Sequence, residues 1–67
     1  MKFNDFDVVK TLVGFPEEGI AKGEIGAVIE SYKNQNVDYL VEFVNEDGTT
    51  KAMFYISCDN LEKVEEN

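Results

Sequence analysis

The sequence predicts an all-β fold in which five short strands close into one small barrel. Runs rich in β-branched and aromatic residues alternate with polar or glycine-containing segments, a pattern typical of strands and turns. The chain has 67 residues, and a chain of this length buries only about 60% of the surface that its unfolded form exposes. We therefore expect a single domain over residues 1–67. Closure of the sheet would protect strand edges that could otherwise aggregate.

The first strand and a long loop occupy the N-terminal part. A strand is predicted over Asp7–Phe15, because the residue before a proline is restricted to extended geometry. The segment Pro16–Gly26 contains the only proline and three of the five glycines, so it is expected to be an ordered loop. Gly23 would form a left-handed turn there, and Gly26 would let the backbone pass close to a neighbouring strand.

The second strand is predicted over Ala27–Lys33, followed by a polar turn at Asn34–Asn36. Val28 and Ile29 are adjacent and both apolar, whereas successive strand residues point to opposite faces. We therefore expect a bend or bulge at one of these two positions.

The third and fourth strands form a hairpin over Asp38–Ser57. Asp47-Gly48 favours a two-residue type I′ turn, which needs positive φ at both central positions. Glu46 would then pair with Thr49, and this pair determines the register of the whole hairpin. The predicted inner pairs are Phe43 with Ala52, Val41 with Phe54, and Tyr39 with Ile56; the predicted outer pairs are Val44 with Lys51, Glu42 with Met53, and Leu40 with Tyr55.

The last elements are a single helical turn at residues 58–61 and a fifth strand at about Glu62–Val64. Five short strands, a long loop between strands one and two, and a late helical turn are the elements of an SH3-like barrel. An OB-fold is the nearest alternative, but it normally has a helix between strands three and four, where this chain has a tight turn. The predicted core is Val8, Val9, Leu12, Ile20, Ile25, Val28, Ile29, Tyr39, Val41, Phe43, Ala52, Phe54, Ile56, Leu61 and Val64.

The composition is strongly acidic. Fourteen acidic residues and six lysines, with no histidine, give a formal net charge of −8. Nucleic-acid binders need clustered Lys or Arg, so direct binding of DNA or RNA is not expected. The same charge would attract a basic protein partner. The lone Cys58, and the absence of an apolar signal-like run or membrane-spanning stretch, indicate a cytoplasmic protein without membrane attachment.

No motif indicates catalysis, a cofactor or a metal. Glycines at 19, 23 and 26 beside Lys22 resemble a phosphate loop, but a phosphate loop needs Ser or Thr after its Lys and a helix after its last glycine. The acidic pairs lack calcium-loop spacing, and no histidine is available for a transition metal. Cys58 also lacks a histidine base, so a half-buried structural thiol is expected.

The outer face of the hairpin is the candidate binding site. It carries Leu40, Met53 and Tyr55 together on a surface that would otherwise be solvated. Glu42, Asp38 and Glu30 would surround them, giving an apolar centre with an acidic rim, as in specific protein interfaces. Ordinary packing between neighbouring strands is the alternative explanation for the apolar residues.

Three segments carry a resemblance to a known family: Asp7-Val8-Val9, the run from Gly23 to Glu30, and the run Tyr39–Val44 before Asp47-Gly48-Thr49-Thr50. Over about residues 7–64 the chain resembles small bacterial proteins grouped as a domain of unknown function with an SH3-like barrel. Members are often encoded beside polymorphic toxin genes, so the resemblance implies an immunity protein and no established activity or cofactor. Leu40 and Tyr55 depart from the family pattern, which is usually polar at the first position and small at the second.

The sequence supports two hypotheses for function. The first is an immunity protein that binds and neutralises a cognate bacterial toxin, such as a basic nuclease, through the acidic surface and its apolar centre. The second is a non-catalytic structural accessory or homo-oligomerising module that buries the same patch against a copy of itself.

Overall fold

The computed structural model describes residues 3–33 and 37–65. Five antiparallel strands form one sheet in the order β4-β3-β2-β1-β5. The strands are β1 (Val8–Thr11), β2 (Ile25–Lys33), β3 (Val37–Val44), β4 (Thr50–Ser57) and β5 (Leu61–Lys63), and short 3-10 helices lie at Pro16–Glu18 and Cys58–Asn60. The all-β prediction is confirmed: a five-stranded, barrel-like fold has a long loop after β1 and a short helical turn before β5.

β1 is shorter than predicted, because the chain leaves the sheet after Thr11 rather than at Phe15. The buried Thr11 hydroxyl donates to the Ala21 carbonyl at 3.0 Å and accepts from the Gly23 amide at 3.0 Å. This residue therefore fastens the end of β1 to the loop, and Gly23 adopts the expected left-handed conformation with φ of 89°. The predicted turn at 34–36 lies outside the described residues.

The turn of the β3–β4 hairpin differs from the prediction. Gly48 N donates to Asn45 O at 2.9 Å, and Asn45 N donates to Thr49 O at 2.8 Å, so the loop has three residues, 46–48. Gly48 has φ of 90°, but Asp47 has no positive φ. The two-residue type I′ turn and its Glu46–Thr49 pair are therefore wrong; a type I turn followed by a left-handed glycine is present.

A bulge corrects the register. Phe43 lies opposite Ala52 while Val44 lies opposite Thr50, which leaves Lys51 as an additional residue on β4. The predicted Val44–Lys51 pair is thus wrong. The longer loop shifts the pairing by one residue and the bulge shifts it back, so the predicted pairs Phe43–Ala52, Glu42–Met53, Val41–Phe54, Leu40–Tyr55 and Tyr39–Ile56 are confirmed.

β2 contains the expected irregularity and the expected close approach. Its register against β3 shifts between Val28 and Glu30, where Val28 is buried and Ile29 is half-buried. Gly26 points inward, and a Cβ placed there would lie 2.9 Å from Glu42 O. Glycine is therefore needed for β2 and β3 to lie this close together.

The core lies on the inner face of the sheet. Its buried apolar residues are Phe3, Val9, Ile20, Val28, Tyr39, Val41, Phe43, Ile56 and Leu61, with Phe15, Ala52, Phe54 and Cys58 packed against them. Leu12 and Ile25 were predicted as core and are exposed, because Leu12 follows the end of β1 and Ile25 alternates with the inward Gly26. Val8, Ile29 and Val64 are half-buried. Phe3 was not predicted, although its ring contacts the Tyr39 ring edge-on with centroids 5.0 Å apart.

Candidate protein-binding face

The predicted site residues lie in two neighbouring rows on the outer face of β2, β3 and β4. In the first row Glu30 pairs with Leu40, which pairs with Tyr55. In the second row Ala27 pairs with Glu42, which pairs with Met53. Asp38 precedes Leu40 by two residues along β3 and lies opposite Ser57. The register therefore brings all six predicted site residues to one face, which we call the outer face.

Tyr55 and Glu30 form a bridge across the first row. The Tyr55 hydroxyl donates to Glu30 Oε2 at 2.9 Å, although the two residues lie on strands separated by β3. Leu40 occupies the position between them, which explains why its side chain is half-buried rather than fully exposed. Tyr55 remains 48% exposed and Met53 51% exposed, so the patch presents apolar surface to solvent.

Glu42 is held in place by the hairpin bulge. Because Thr50 pairs with Val44, its side chain lies on the same face as Glu42, and its hydroxyl donates to Glu42 Oε2 at 2.6 Å. Without the bulge at Lys51, strand alternation would turn Thr50 to the inner face. The departure from the predicted register thus orients one of the predicted site carboxylates.

An open hollow of about 230 Å³ continues the outer face beyond Glu42. Ile25 and Val44 border it and are 52% and 57% exposed, respectively. Ile25 was expected in the core, and Val44 was not expected to belong to the patch. The signal that could have placed Ile25 was Gly26, because an inward glycine at a close approach requires its strand neighbour to face outward. The hollow is lined by Val8, Ile25, Gly26, Ala27, Glu42 and Val44.

Comparison with known proteins identifies the family. The family model for a domain of unknown function, DUF4926, matches residues 5–63. The chain belongs to the DUF4926 family. The expected resemblance to a family of small domains of unknown function is thus confirmed. No curated protein and no solved structure matched the chain.

The ion pairs formed by the lysine side chains that the structure describes lie away from the carboxylates of the outer face of this DUF4926 domain. The ion pairs of the described residues join Lys10 to Glu62, Lys51 to Glu24 and Lys63 to Asp7, at 3.4, 3.0 and 3.8 Å. None of these pairs, within residues 3–33 and 37–65, includes Glu30, Asp38 or Glu42. The outer face therefore combines exposed apolar groups with carboxylates that none of the described lysine side chains pairs with.

Glu24, the residue before β2, has a carboxylate with two partners inside the domain. Its Oε2 accepts from Ala21 N at 2.8 Å, and Lys51 Nζ lies 3.0 Å from its Oε1. The backbone hydrogen bond, followed by the hydrogen bond from Lys51, lowers the pKa of Glu24 from its ordinary value. This carboxylate is thus already engaged within the domain.

Across the described segments, no group of three or more His, Cys, Asp or Glu side chains is placed to hold a metal ion. Cys58 is half-buried and packs against the core, as expected for a structural thiol. No helix in the described parts of the DUF4926 domain is long and apolar enough to cross a membrane.

Proposed function

We propose that this protein is a non-catalytic immunity protein, which binds and neutralises a cognate bacterial toxin with a basic domain, such as a nuclease. The observation that supports this proposal best is the composition of the outer face. Leu40, Met53 and Tyr55 form an apolar patch, and Glu30, Asp38 and Glu42 place carboxylates around it. An apolar centre with a polar rim is the usual organisation of a specific protein interface.

Net charge supports a basic partner. The chain carries a formal charge of −8, which repels phosphate backbones but attracts cationic proteins and accelerates their encounter. A nuclease must display Lys or Arg where its substrate phosphates bind. An acidic inhibitor would therefore cover that surface by binding the same cations that hold the nucleic acid.

The apolar patch supplies the short-range part of the proposed interface. The hydrogen bond from Tyr55 to Glu30 fixes the tyrosine ring before any partner arrives. A side chain that is already ordered loses less conformational entropy on binding. Tyrosine is also among the residues that contribute most to binding energy in interfaces. Tyr55 is therefore the proposed central anchor, with Leu40 and Met53 beside it.

In the proposed function the protein acts in a reducing cytoplasm, where Cys58 remains a free thiol. The resemblance to small bacterial proteins encoded beside toxin genes adds the expectation that the partner is encoded next to this protein. The proposed inhibition needs no cofactor, because it consists of occupying the partner's surface.

A homo-oligomer is the second candidate function. Four exposed apolar residues, Ile25, Val44, Met53 and Tyr55, share the outer face, and such a face can be covered by a second copy. A two-fold axis would, however, bring equal acidic rims together, and like charges facing each other are unfavourable. Light scattering at moderate salt tests this candidate; a dimer that is insensitive to salt would support it over the first.

The experiment on the first candidate begins by sequencing the neighbouring reading frames; the proposal predicts that one of them encodes a toxin with a basic C-terminal domain, which is then purified as the binding partner. Titration calorimetry should show a one-to-one complex with the purified protein. The double variant Leu40→Ala, Tyr55→Ala should weaken the complex by about 2–4 kcal/mol, as expected when buried anchors are truncated.

Leu12→Ala is the matched control, because Leu12 is also exposed but follows β1 instead of lying on the outer face. It should bind like the wild type. Thermal unfolding of each variant shows whether the fold is intact. Unchanged affinity of the folded double variant would contradict the proposed site, and a neighbouring gene for a metabolic enzyme would count against the immunity function.

A further inference from the structure

We propose that the hollow beside Glu42 is a binding subsite for one long basic side chain, Arg or Lys, of the protein partner. This inference deepens the proposed function, on which it rests. It adds a site that lies outside the patch of Leu40, Met53 and Tyr55. The occupant is specified by two features of the hollow, an apolar wall and a single carboxylate at its border.

The wall of the hollow suits the methylene stem of a basic residue. Val8, Ile25, Ala27 and Val44 supply the apolar wall, and the open volume of about 230 Å³ has room for one extended side chain. Arg and Lys bury their stems against apolar surface while the charged head remains near water or a counterion. A purely apolar side chain would leave the negative charge of Glu42 without a positive charge beside it.

The carboxylate is oriented for a cation. Glu42 is half-buried, and its Oε2 accepts the Thr50 hydroxyl at 2.6 Å. Among the side chains of residues 3–31 and 38–65, none forms an ion pair with Glu42. A half-buried carboxylate that is already fixed by one hydrogen bond forms a charge-assisted hydrogen bond with little further loss of entropy. Charge complementarity therefore favours a basic group over any other occupant.

The subsite can be tested without the toxin, by nuclear magnetic resonance titration of the isotope-labelled protein. The probes are butylguanidinium, butylammonium and butanol, which compare the two cationic heads with an uncharged one on the same stem. Both cations should shift the amide signals of Ala27, Glu42 and Val44 in a saturable way, and the larger affinity identifies Arg or Lys as the preferred residue. Butanol should bind at least about tenfold more weakly.

Two variants separate the carboxylate from the hollow. Glu42→Gln keeps an oxygen for the Thr50 hydroxyl but removes the charge, and it should weaken butylguanidinium binding about tenfold. Ala27→Leu fills the hollow and keeps the charge, and it should reduce binding by a similar factor. Glu46→Gln is the control for net charge, because Glu46 is exposed in the turn; it should bind like the wild type.

Equal affinity of the wild type and Glu42→Gln would overturn the subsite, as would equal weakening by Glu46→Gln. The result is also distinguishable from failure of the proposed function. If the toxin complex requires Leu40 and Tyr55 but tolerates Glu42→Gln, the subsite is wrong and the immunity function stands. If butylguanidinium binds as expected and no toxin complex forms, the subsite stands and the partner is a different basic protein.

Discussion

Gly26 is the residue at which a single methyl group has the greatest predicted effect on the fold. A Cβ at this position would lie 2.7 Å from Val41 Cγ1 and 2.9 Å from both Glu42 O and Phe43 Cε2. One of these contacts is with backbone, which cannot move aside without disturbing the β2–β3 ladder. Gly26→Ala should therefore lower the free energy of unfolding by about 1–3 kcal/mol, measured by urea denaturation.

Gly14→Ala is the matched control for this substitution. Its Cβ would make only ordinary contacts, at 3.5 Å to Lys22 N and 3.7 Å to Ile20 O, and Gly14 has no positive φ. The change should be neutral or should stabilise the protein by about 0.4–1 kcal/mol through a lower entropy of the unfolded chain. Equal effects of the two alanine substitutions would contradict the close approach at Gly26.

Glu24 gives the fold a predictable dependence on pH. Its pKa is lowered in the folded state, first by the Ala21 amide and then by Lys51. A carboxyl group with a lowered folded-state pKa stabilises the protein above its unfolded pKa, about 4.3, and this contribution is lost as the pH falls through the folded value. Wild type should therefore be more stable than Glu24→Gln near neutral pH, and the difference should shrink as the pH falls through the lowered folded-state pKa of Glu24.

The relative sizes of the two causes can be measured in the same experiment. Lys51→Met removes the hydrogen bond from Lys51 and leaves the one from Ala21 N. The free energy of unfolding of Lys51→Met should therefore depend on pH less than that of the wild type, but more than that of Glu24→Gln. Thermal unfolding between pH 2.5 and pH 7 provides the data. A loss in Lys51→Met that matches the loss in Glu24→Gln would show that the ion pair, and not the backbone hydrogen bond, dominates.

At the level of elements, the β3–β4 hairpin shows how far sequence patterns determine structure. Alternation of apolar and polar residues correctly predicted five cross-strand pairs, because a register slip would expose Val41 and Phe43. The same pattern could not predict the turn, since Asp-Gly is compatible both with a two-residue loop and with a three-residue loop that ends in a left-handed glycine. Either loop buries the same inner-face residues, because the bulge at Lys51 restores the register after the longer loop.

Local hydrogen bonds decide which turn forms. Asp47 Oδ1 accepts from Thr49 N at 3.0 Å and from the Thr49 hydroxyl at 2.6 Å. The bond from the Thr49 hydroxyl, followed by the bond from Thr49 N, lowers the pKa of Asp47 from its ordinary value. Both bonds favour a turn in which Asp47 has a negative φ and the following glycine has a positive φ. The turn type therefore depends on the side chains of Asp47 and Thr49, and the alternation of apolar residues does not indicate it.

Proline at position 46 distinguishes the two turns. In the observed type I turn Glu46 is the first central residue, where proline is favoured and its fixed φ is suitable. Glu46→Pro should thus be neutral or stabilise the protein by about 0.4–1 kcal/mol. In the two-residue turn residue 46 would instead be paired with Thr49, and proline would remove a ladder hydrogen bond.

Gly48→Ala serves as the positive control for the same loop, because φ of 90° disfavours any residue with a side chain. It should cost about 1–2 kcal/mol. Both variants are measured by chemical denaturation. A Glu46→Pro variant that is destabilised as strongly as Gly48→Ala would contradict the three-residue loop.

At the scale of the whole molecule, the fold class and the residues that share the outer face could be predicted from the sequence. The packing of the N-terminal segment against the core could not. Phe3 is buried and its amide donates to the Tyr39 hydroxyl at 3.1 Å. Asn4 and Asp5 follow it, so no local pattern marks Phe3 as a core residue. Its position depends on a partner 36 residues away in sequence, and such contacts are set by tertiary packing.

The net charge and the apolar patch should control different steps of binding to the proposed basic partner. Charge acts over a distance and mainly sets the association rate, whereas well-packed apolar anchors mainly set the dissociation rate. The association rate constant should therefore fall at least about tenfold between 0.05 and 0.5 M salt, since screening shortens the range of the field. The dissociation rate constant should change much less.

Single variants assign these steps to residues of the outer face. Asp38→Asn removes one rim charge and should slow association while leaving the dissociation rate nearly unchanged. Leu40→Ala should leave association nearly unchanged and accelerate dissociation by about tenfold or more, because its apolar contact forms only after docking. Surface plasmon resonance over the same salt range measures both constants. If salt and Asp38→Asn changed only dissociation, the acidic charge would act as part of the packed interface, and long-range attraction would not explain why so small a domain carries it.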